Sequence, residues 1–474
     1  MVKTAALIAL ACTIGAALSL LVFNAGLTYD PAAWAVWAAE LPHRHMGLGS
    51  GPSWKPLPVF VTAPFALVSW NFGGTVWLVI VRACAIATSV MLWRMASRVV
   101  RKNGKPWAQE PAAFAAGATA AMFPWLIPSW VQFAAAGGSE PVLMALLLAG
   151  VEAHLAKRFR LALALGVLAG LVRPEVWAFL LIYGIWLLRR EGAKAALPLG
   201  LGALVEVAGW FGVPALAGGD ALQATHRARV YTERIVPVDE FARRVATELP
   251  GLAWALIALG IFVTFRLRDR LLTAFTAAGL GWLVVVTAMT ESGYSGISRY
   301  AVPALVLLSV PAGAGVGWLV GRVSQQRQTI AMWASIVLIA AVFGARQDLL
   351  TARLDKVEQI GTRSEDAVTA MNKLGGAHKL IARCGSLGTN WVYTPVISWR
   401  AHISLGNVGH RDTAPAILLL PPNTTTVSHP SVRNNFQLVP PAGTRSSRTL
   451  TTAGGWRVVE YSGAVNCRGP EVKP

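Results

Sequence analysis

The chain has 474 residues, of which 54% are hydrophobic and 14% charged, and its mean hydropathy is +0.51. A soluble protein of this length cannot bury so much apolar surface, so the composition indicates a polytopic membrane protein. The formal net charge is +19, but the basic residues lie in short clusters between apolar runs. Membrane topology is encoded in this way, so we expect no nucleic-acid partner.

Apolar runs long enough to cross a bilayer, about 20 residues each, recur through the first 345 residues. They lie at about 4–25, 73–96, 112–131, 141–156, 161–188, 195–217, 251–266, 271–290, 300–320 and 329–345. Arg173-Pro174-Glu175 interrupts the run 161–188, and basic clusters flank both of its ends. This pattern predicts two short helices that enter the membrane and return. The expected fold is mostly α, a membrane bundle of about eleven helical segments that include this broken hairpin.

Basic clusters with few acidic neighbours mark the cytoplasmic side of a membrane protein. The clusters around residues 94–105, 157–160, 189–194, 266–270 and 322–327 fall on one side. The amino terminus is therefore predicted to be cytoplasmic. The first apolar run is longer than the core of a secretory signal and lacks a clear cleavage site, so an uncleaved helix is expected. The prediction is a multi-pass plasma-membrane protein with the loops 26–72, 132–140, 218–250 and 291–299 outside.

The last 130 residues change in character. A polar helix over about 345–375 is followed by short apolar runs that Pro, Gly, Ser and Thr turns separate, which predicts a small extracytoplasmic α/β domain. We expect a transmembrane module over 1–345 and this soluble domain over 346–474. Cys384 and Cys467 lie in the second part, where they can form a disulfide if it faces an oxidising compartment.

The loop that follows the first apolar run is chemically varied. Asp30 is either a helix-terminal acid before Pro31 or a general base for an acceptor hydroxyl. Lys55, in Gly-Pro-Ser-Trp-Lys-Pro, is a candidate to contact a lipid phosphate. Three aromatic residues can line a substrate site or belong to an interfacial belt: Tyr29, Trp34 and Trp54. The cluster 43–45, His-Arg-His, has no further ligand nearby, so we expect no metal there.

Five other candidates lie in later segments, and two of them, Glu175 and Tyr300, are expected to contact the substrate. Glu140 precedes an apolar helix and is either a helix-terminal acid or a second carboxylate that orients the acceptor or helps to hold a cation. Arg173 and Glu175 flank a proline at membrane depth, as an ion pair that fixes the break or as the lining of a functional interior. Arg299, followed by Tyr300, is either an interfacial pair with it or a group for bidentate capture of phosphate oxygens.

Four strings together resemble the GT-C superfamily of membrane glycosyltransferases: YDPAAWAVW, GPSWKPLPV, GLVRPEVW and SRYAVPAL. They are similar to prokaryotic members related to the protein-mannosyltransferase and arabinosyltransferase groups, and the resemblance covers roughly residues 1–345. It implies that the donor is a polyprenyl-phosphate-linked sugar, which reaches the protein from the membrane lipid. It also implies a glycan, lipid or protein acceptor on the extracytoplasmic face.

The resemblance also implies residue roles. Asp30 matches the catalytic acid of the family, Glu140 the acid of the second outer loop, and Arg299 a basic residue near the donor phosphate. Many relatives have two adjacent acids at the first position, whereas this chain has Tyr29-Asp30. A single acid binds divalent cations poorly, so no cofactor is certain and a divalent cation stays open.

The expected reaction is an inverting single displacement, in which Arg299 with Arg173 or Lys55 stabilises the phosphate leaving group. A transporter or flippase for a lipid-linked or polar substrate is the main alternative, since it also explains ionisable residues within helices. The sequence shows no inverted repeat that would favour it. A lipid-linked-oligosaccharide ligase or polymerase, and a non-catalytic scaffold, are further alternatives.

Overall fold

The computed structural model describes residues 2–23, 26–43, 46–103, 109–230, 236–409, 416–422, 445–462 and 467. Cα packing divides the chain into two compact units. The first unit consists of Met1–Phe23, Val79–Glu206 and Ala228–Asp355, and the second of Asn24–Leu78, Val207–Arg227 and Lys356–Pro474. The sequence-based division into 1–345 and 346–474 stays a prediction.

The described residues are mostly helical. In chain order the helices are α1 (Val2–Val22), α2 (Tyr29–Glu40), α3 (Pro56–Ala66), α4 (Trp70–Asn103), α5 (Gln109–Met122), α6 (Pro128–Ala136), α7 (Glu140–Leu155), α8 (Phe159–Gly170), α9 (Val176–Glu191), α10 (Ala196–Val207), α11 (Val213–Gly218), α12 (Gln223–Val230), α13 (Val238–Ala246), α14 (Gly251–Leu267), α15 (Arg270–Glu291), α16 (Val302–Val320), α17 (Gln325–Ala345), α18 (Gln347–Asn372), α19 (Ala377–Cys384) and α20 (Thr394–Ala401).

Five helical runs within the described ranges are long and apolar enough to cross a membrane: Trp70–Asn103, Val176–Ala217, Arg270–Glu291, Ser298–Val320 and Gln325–Ala345. Two further pairs of helices, bent by 75° and 102°, raise the number to seven if each pair forms one span. The prediction of a mostly helical chain with several apolar spans is confirmed. The count of eleven segments stays a prediction.

The break predicted within the run 161–188 is present. Helix α8 ends at Gly170 and α9 begins at Val176, so the residues 171–175 that contain Arg-Pro-Glu are not helical. A proline lacks the backbone N–H and restricts the residue before it, which ends the first helix. The break places two charged side chains, those of Arg173 and Glu175, in the interior of an otherwise apolar stretch.

Helix α16 is the centre of the first unit. It is apolar around its whole circumference, which predicts burial, and nearly all of its residues are buried against α5, α14 and α15. Small residues let the helices approach closely. A Cβ atom added at Gly260 of α14 would lie 2.2 Å from the carbonyl carbon of Pro311 in α16. The first unit is therefore a tightly packed helical bundle around α16.

The second unit contains a five-stranded sheet of order β2-β1-β3-β5-β4. Its strands are β1 (Leu387–Thr389), β2 (Val408–Gly409), β3 (Ile417–Leu420), β4 (Ser446–Ala453) and β5 (Trp456–Ser462). Strands β1, β2 and β3 are parallel, whereas β5 is antiparallel to both β3 and β4. Strand β3 is four consecutive buried apolar residues, as expected of a strand covered on both faces. The small α/β sheet predicted near the carboxyl end is confirmed.

Two local features close this part of the second unit. Gly454 and Gly455 join β4 to β5 with φ of 53° and 77°, a conformation that a two-residue hairpin turn requires and that glycine adopts without strain. Cys384, the last residue of α19, forms a disulfide with Cys467, with an S–S distance of 2.06 Å. The bond ties α19 to the residue that follows the last strand by five positions.

Candidate functional site

Glu140 occupies the first position of α7 and is fully buried. The preceding helix α6 ends at Ala136, and the next residue, Gly137, has a φ of 86° in the left-handed region that favours glycine. A Cβ atom at the next residue, Gly138, would lie 2.5 Å from the Phe133 side chain and 2.9 Å from Glu140 Oε2. The Gly-Gly pair therefore gives the Glu140 carboxylate the room that it needs at this helix start.

Two arginines from distant segments donate to Glu140. Arg173 Nη2 lies 2.5 Å from Glu140 Oε1, and Arg299 Nε lies 2.5 Å from the same oxygen. Arg299 Nη2 is 3.5 Å from Oε2. On its other side, Arg173 Nη1 donates to Glu175 Oε1 at 2.9 Å. The two cations and two carboxylates balance in charge, which is what burial of ionised groups requires.

Aromatic rings complete this cluster of charged residues. The Arg173 guanidinium lies 5.1 Å from the centroid of the Tyr300 ring, and that of Arg299 lies 4.6 Å from the Phe133 ring. Both distances are typical of cation–π contacts. The side chain of Arg299 is 16% exposed, whereas that of Arg173 is 2% exposed. Arg299 is therefore the more accessible of the two guanidinium groups.

The structure thus brings five of the predicted site residues together in the first unit: Glu140, Arg173, Glu175, Arg299 and Tyr300. Trp282 of α15 fixes the last of them, because its Nε1 donates to the Tyr300 carbonyl at 2.9 Å. The predicted ion pair between Arg173 and Glu175 is present, and Glu140 extends it into a network.

One residue of this region was not predicted from the sequence. Glu248, in the loop between α13 and α14, is 4% exposed and its Oε1 accepts from Ser129 Oγ at 2.7 Å and Ser298 Oγ at 2.6 Å. It therefore ties the start of α6 to the residue before Arg299. An acid close to a proline at the start of an apolar helix was the available signal, since Glu140 has the same context.

The other predicted site residues lie in the second unit. Tyr29 and Asp30 form the first turn of α2 and are half-buried, whereas the rest of this helix is buried. The Tyr29 ring packs edge-on against Trp391 with 5.0 Å between centroids. Asp30 therefore occupies the accessible end of a buried helix. Lys55 Nζ lies 5.1 Å from the Trp34 ring centroid.

Trp34 and Trp54 are packed in the interior, at 1% and 0% exposure. Trp54 Nε1 donates to the Gly209 carbonyl at 2.9 Å, and its backbone N–H donates to Gln223 Oε1 at 2.8 Å. The prediction that these two rings line a substrate site does not fit this burial, because neither ring is exposed to a ligand. Composition alone could not separate the two uses of tryptophan. Residues 44–45 of the His-Arg-His cluster lie outside the described ranges.

Glu40, at the last position of α2, is a second carboxylate that the sequence did not single out. It is 5% exposed and accepts from the backbone N–H of Gly47 at 2.9 Å and of Leu405 at 3.2 Å. Charge-assisted bonds of this kind are stronger than neutral ones. Glu40 therefore joins α2 to a segment of the second unit that is far away in sequence.

The charged clusters do not offer a ready cation site. Glu140 is occupied by two guanidinium groups, which compete with a metal for the same oxygens. Across the described ranges, three potential ligands converge at Cys384, Glu460 and Cys467. The two cysteines are bonded to each other and Glu460 pairs with Arg383 at 3.1 Å, so this group does not fit a divalent cation.

No protein-family model and no curated protein matches the chain. Solved structures do match. The crystal structure of ArnT from Cupriavidus metallidurans bound to undecaprenyl phosphate matches with a TM-score of 0.55 and 15% identity, over 99% of this chain and 99% of that chain. The apo state of the same ArnT matches with a TM-score of 0.53 and 14% identity, over 97% and 96%. The likeness shows a shared fold over nearly the whole length, whereas the resemblance found in the sequence covered roughly residues 1–345.

Proposed function

We propose, from the fold shared with ArnT, that this chain is a membrane glycosyltransferase of the GT-C type. It moves a sugar from a polyprenyl-phosphate donor to a glycan, lipid or protein acceptor. The observation that carries the proposal is the match over 99% of both chains to a structure that holds undecaprenyl phosphate. Two of the three residues that the sequence singled out for the donor phosphate, Arg173 and Arg299, also share the Glu140 carboxylate, which supports the proposal.

The reaction is an inverting single displacement. The Asp30 carboxylate accepts the proton of the acceptor hydroxyl while that oxygen forms a bond to the anomeric carbon. The bond from the anomeric carbon to the phosphate oxygen breaks, and polyprenyl phosphate leaves with the electron pair. A phosphate monoester is a good leaving group, so no general acid is required. Half-burial of Asp30 at the start of α2 supports its role as an accessible base.

Arg299 is proposed to contact the donor phosphate. Its Nε is held at 2.5 Å by Glu140, so the guanidinium is oriented before the ligand arrives, and its partial exposure leaves it within reach of one. Arg173 was predicted for the same role. Its burial between Glu140 and Glu175 favours a positioning role through Glu140 instead. Lys55 is the candidate from the second unit.

The remaining assignments are parts of the same proposal. Tyr29 contacts the substrate beside Asp30, whereas Glu175 and Tyr300 position Arg173. The amino terminus is cytoplasmic, the chain has about eleven membrane segments, and the loops that carry these residues face the extracytoplasmic side of the plasma membrane. The distribution of basic clusters supports this orientation.

The test uses the purified full chain in lipid nanodiscs with polyprenyl-phosphate mannose and polyprenyl-phosphate arabinose as donors and with cell-envelope glycan, lipid and protein fractions as acceptors. Release of polyprenyl phosphate is the readout. Asp30→Asn is expected to lower the release at least 100-fold and to leave binding of undecaprenyl phosphate unchanged, because a base contributes about 10²–10⁴ to such a rate. Asp348→Asn, an exposed acid in α18, is the matched control. Unchanged release by the Asp30 variant would overturn the assignment.

Two further arms separate the alternatives. Movement of the lipid-linked sugar across the bilayer without release of polyprenyl phosphate would identify a flippase. Loss of activity with EDTA and recovery with Mg²⁺ or Mn²⁺ would establish a divalent cation. A product that keeps the anomeric configuration of the donor would contradict the single displacement.

A further inference from the structure

A cavity of about 310 Å³ lies within the second unit, between α18, the segment after β1 and the end of β3. Its lining includes Lys356, Gln359 and Arg363 of α18, and Asn390 and Tyr393 from the segment after β1. Pro421 and Pro422 close it from the end of β3. The volume is at the lower end of the range for small-molecule sites, and a monosaccharide fits in it.

The cavity lies at a particular place in the sheet topology. Strand β1 lies between the two other parallel strands, β2 on one side and β3 on the other, so the order of the parallel strands reverses at β1. Asn390 directly follows the last residue of β1, and Pro421 directly follows the last residue of β3. The cavity therefore lies outside the carboxyl ends of two parallel strands at a switch point. Open α/β sheets bind their ligands at such places.

The backbone of the segment between β1 and α20 is not arranged to cradle a phosphate. Val392 N–H donates to Asn390 Oδ1 at 3.1 Å, Tyr393 N–H to the Asn390 carbonyl at 2.9 Å, and Thr394 N–H to the Trp391 carbonyl at 3.3 Å. The segment 390–393 also contains no glycine that would let a ligand approach the backbone. Recognition at this cavity must therefore come from side chains.

The side chains supply two cations, two amides and apolar rings. Lys356 and Arg363 are seven residues apart in α18 and so lie on one face of the helix, with Gln359 between them. Arg363 Nη1 donates to Tyr393 Oη at 3.3 Å, which holds both groups at the cavity. Within the described part of the lining there is no acidic side chain to neutralise the cations.

We propose that this cavity binds a sugar that carries a carboxylate or a phosphate. Lys356 and Arg363 bind the anionic group, because a guanidinium and an ammonium suit oxyanions. The amides of Gln359 and Asn390 bond hydroxyl groups, and the ring of Tyr393 with the two prolines packs against the C–H face. The inference uses residues of the second unit alone, so it does not depend on the proposed transferase reaction.

The test is a calorimetric titration of the full chain in detergent with glucuronic acid, glucose 6-phosphate, glucose and inorganic phosphate. Saturable binding of glucuronic acid or glucose 6-phosphate is expected, with glucose and inorganic phosphate each at least tenfold weaker. The Lys356→Gln/Arg363→Gln double variant is expected to lose at least tenfold in affinity for the anionic sugar. Lys379→Gln, an exposed lysine on α19 away from the cavity, is the matched control and should bind normally.

Lys356→Gln alone changes an exposed side chain and therefore provides the test if the double variant fails to fold. Its affinity for the anionic sugar should be at least threefold lower than that of the native chain. Binding of neutral glucose as tightly as the acidic sugars, or full binding by a folded double variant, would overturn the proposal. So would the absence of saturable binding. Asp30→Asn should bind the acidic sugar normally even if it abolishes transfer, which separates this site from the proposed active site.

Discussion

Glu140 is the residue whose interpretation the structure changes most. As an acid in an outer loop it was expected to orient an acceptor or to help hold a cation. Its carboxylate instead accepts from two guanidinium groups and has no exposed surface. An anion in this position fixes the arginines and lets two like charges remain buried close together. Its contribution to the proposed chemistry is therefore the orientation of Arg299.

Glu140→Gln leaves the buried Arg173 and the partly exposed Arg299 with one carboxylate, that of Glu175, in place of two. Breaking a buried ion pair by removing one partner costs about 3–5 kcal/mol, and we expect a loss of stability in that range. The matched control is Glu152→Gln, whose pair with Arg94 is largely exposed and should cost about 1 kcal/mol or less. Thermal unfolding of both purified variants checks this. Equal unfolding temperatures for the two variants would contradict it.

At the level of residues, the sequence could identify the charged groups but not their partners. Glu140 and Arg299 stand out as ionisable residues at the ends of apolar runs, and Arg173 as one within such a run. Arg173 and Arg299 are 33 and 159 residues away from Glu140, and no local pattern connects positions so far apart. The burial of Trp34 and Trp54 could not be predicted from the sequence either, because tryptophan occurs both at membrane interfaces and in protein interiors.

At the level of elements, the packing of α16 depends on glycines in the helices around it. Gly260→Ala would place a Cβ atom 2.2 Å from the Pro311 carbonyl carbon, which is backbone and cannot rotate away. We expect α14 and α16 to separate, at a cost of about 1–3 kcal/mol in stability. Gly200→Ala in α10 is the control, since a Cβ atom there meets nothing within 4 Å. Thermal unfolding should show a loss only for the first variant.

The amino end of α15 provides a pH-dependent element. Burial alone would raise the pKa of Asp269, but bonds from Lys102 Nζ at 2.7 Å and from the N–H groups of Leu271 and Leu272 outweigh it, and the pKa is lowered. Because the folded pKa lies below the unfolded value of about 3.9, this stabilisation is present above that pH. It is lost as the pH falls through the folded pKa.

Asp269→Asn keeps a side-chain oxygen for the helix cap but removes the charge. The variant is expected to be less stable than the native chain at pH 7 by roughly 1 kcal/mol, the size of a charge effect at a helix end. The difference should begin to shrink below about pH 4, where Asp269 of the unfolded native chain binds a proton, and should disappear as the pH falls through the lower folded pKa. Unfolding temperatures at pH 7, 5 and 3.5 provide the test. A difference that stays constant over this range would show that the charge is not responsible.

Among the elements, the break at Arg-Pro-Glu was predictable because ionisable residues and a proline within an apolar run disfavour a continuous helix. The number of membrane spans was harder to predict from the sequence. The run Val176–Ala217 covers 42 residues, and the division that the sequence suggested near residue 190 is present within it. Helix α9 ends at Glu191, and α10 begins at Ala196. Gly192 between them has a φ of 61°, a left-handed conformation that glycine adopts without strain and that ends α9 directly after its basic residues.

At the level of the whole molecule, the charge distribution makes a prediction about orientation. Ser292 follows α15 in a loop expected outside, and Ser324 precedes α17 next to a basic cluster expected inside; both are exposed. In intact cells, a membrane-impermeant maleimide should label Ser292→Cys but label Ser324→Cys only after permeabilisation. The native chain, treated in the same way, gives the background from its own cysteines. The opposite labelling pattern would reverse the proposed orientation.

The second unit consists of three stretches that are far apart in the chain, and this has a consequence for biosynthesis. The Glu40 carboxylate bonds the N–H of Leu405, which a ribosome adds 365 residues later. At about 5–20 residues per second, α2 waits roughly 20–70 s for this partner. During that interval the apolar residues of α2 cannot pack against the third stretch of the second unit, because it has not been synthesised. A nascent chain stalled before residue 356 should therefore depend on chaperones and be a target for proteolysis. Whether the chain escapes degradation is therefore determined late in synthesis, when the stretch from Lys356 onward is made.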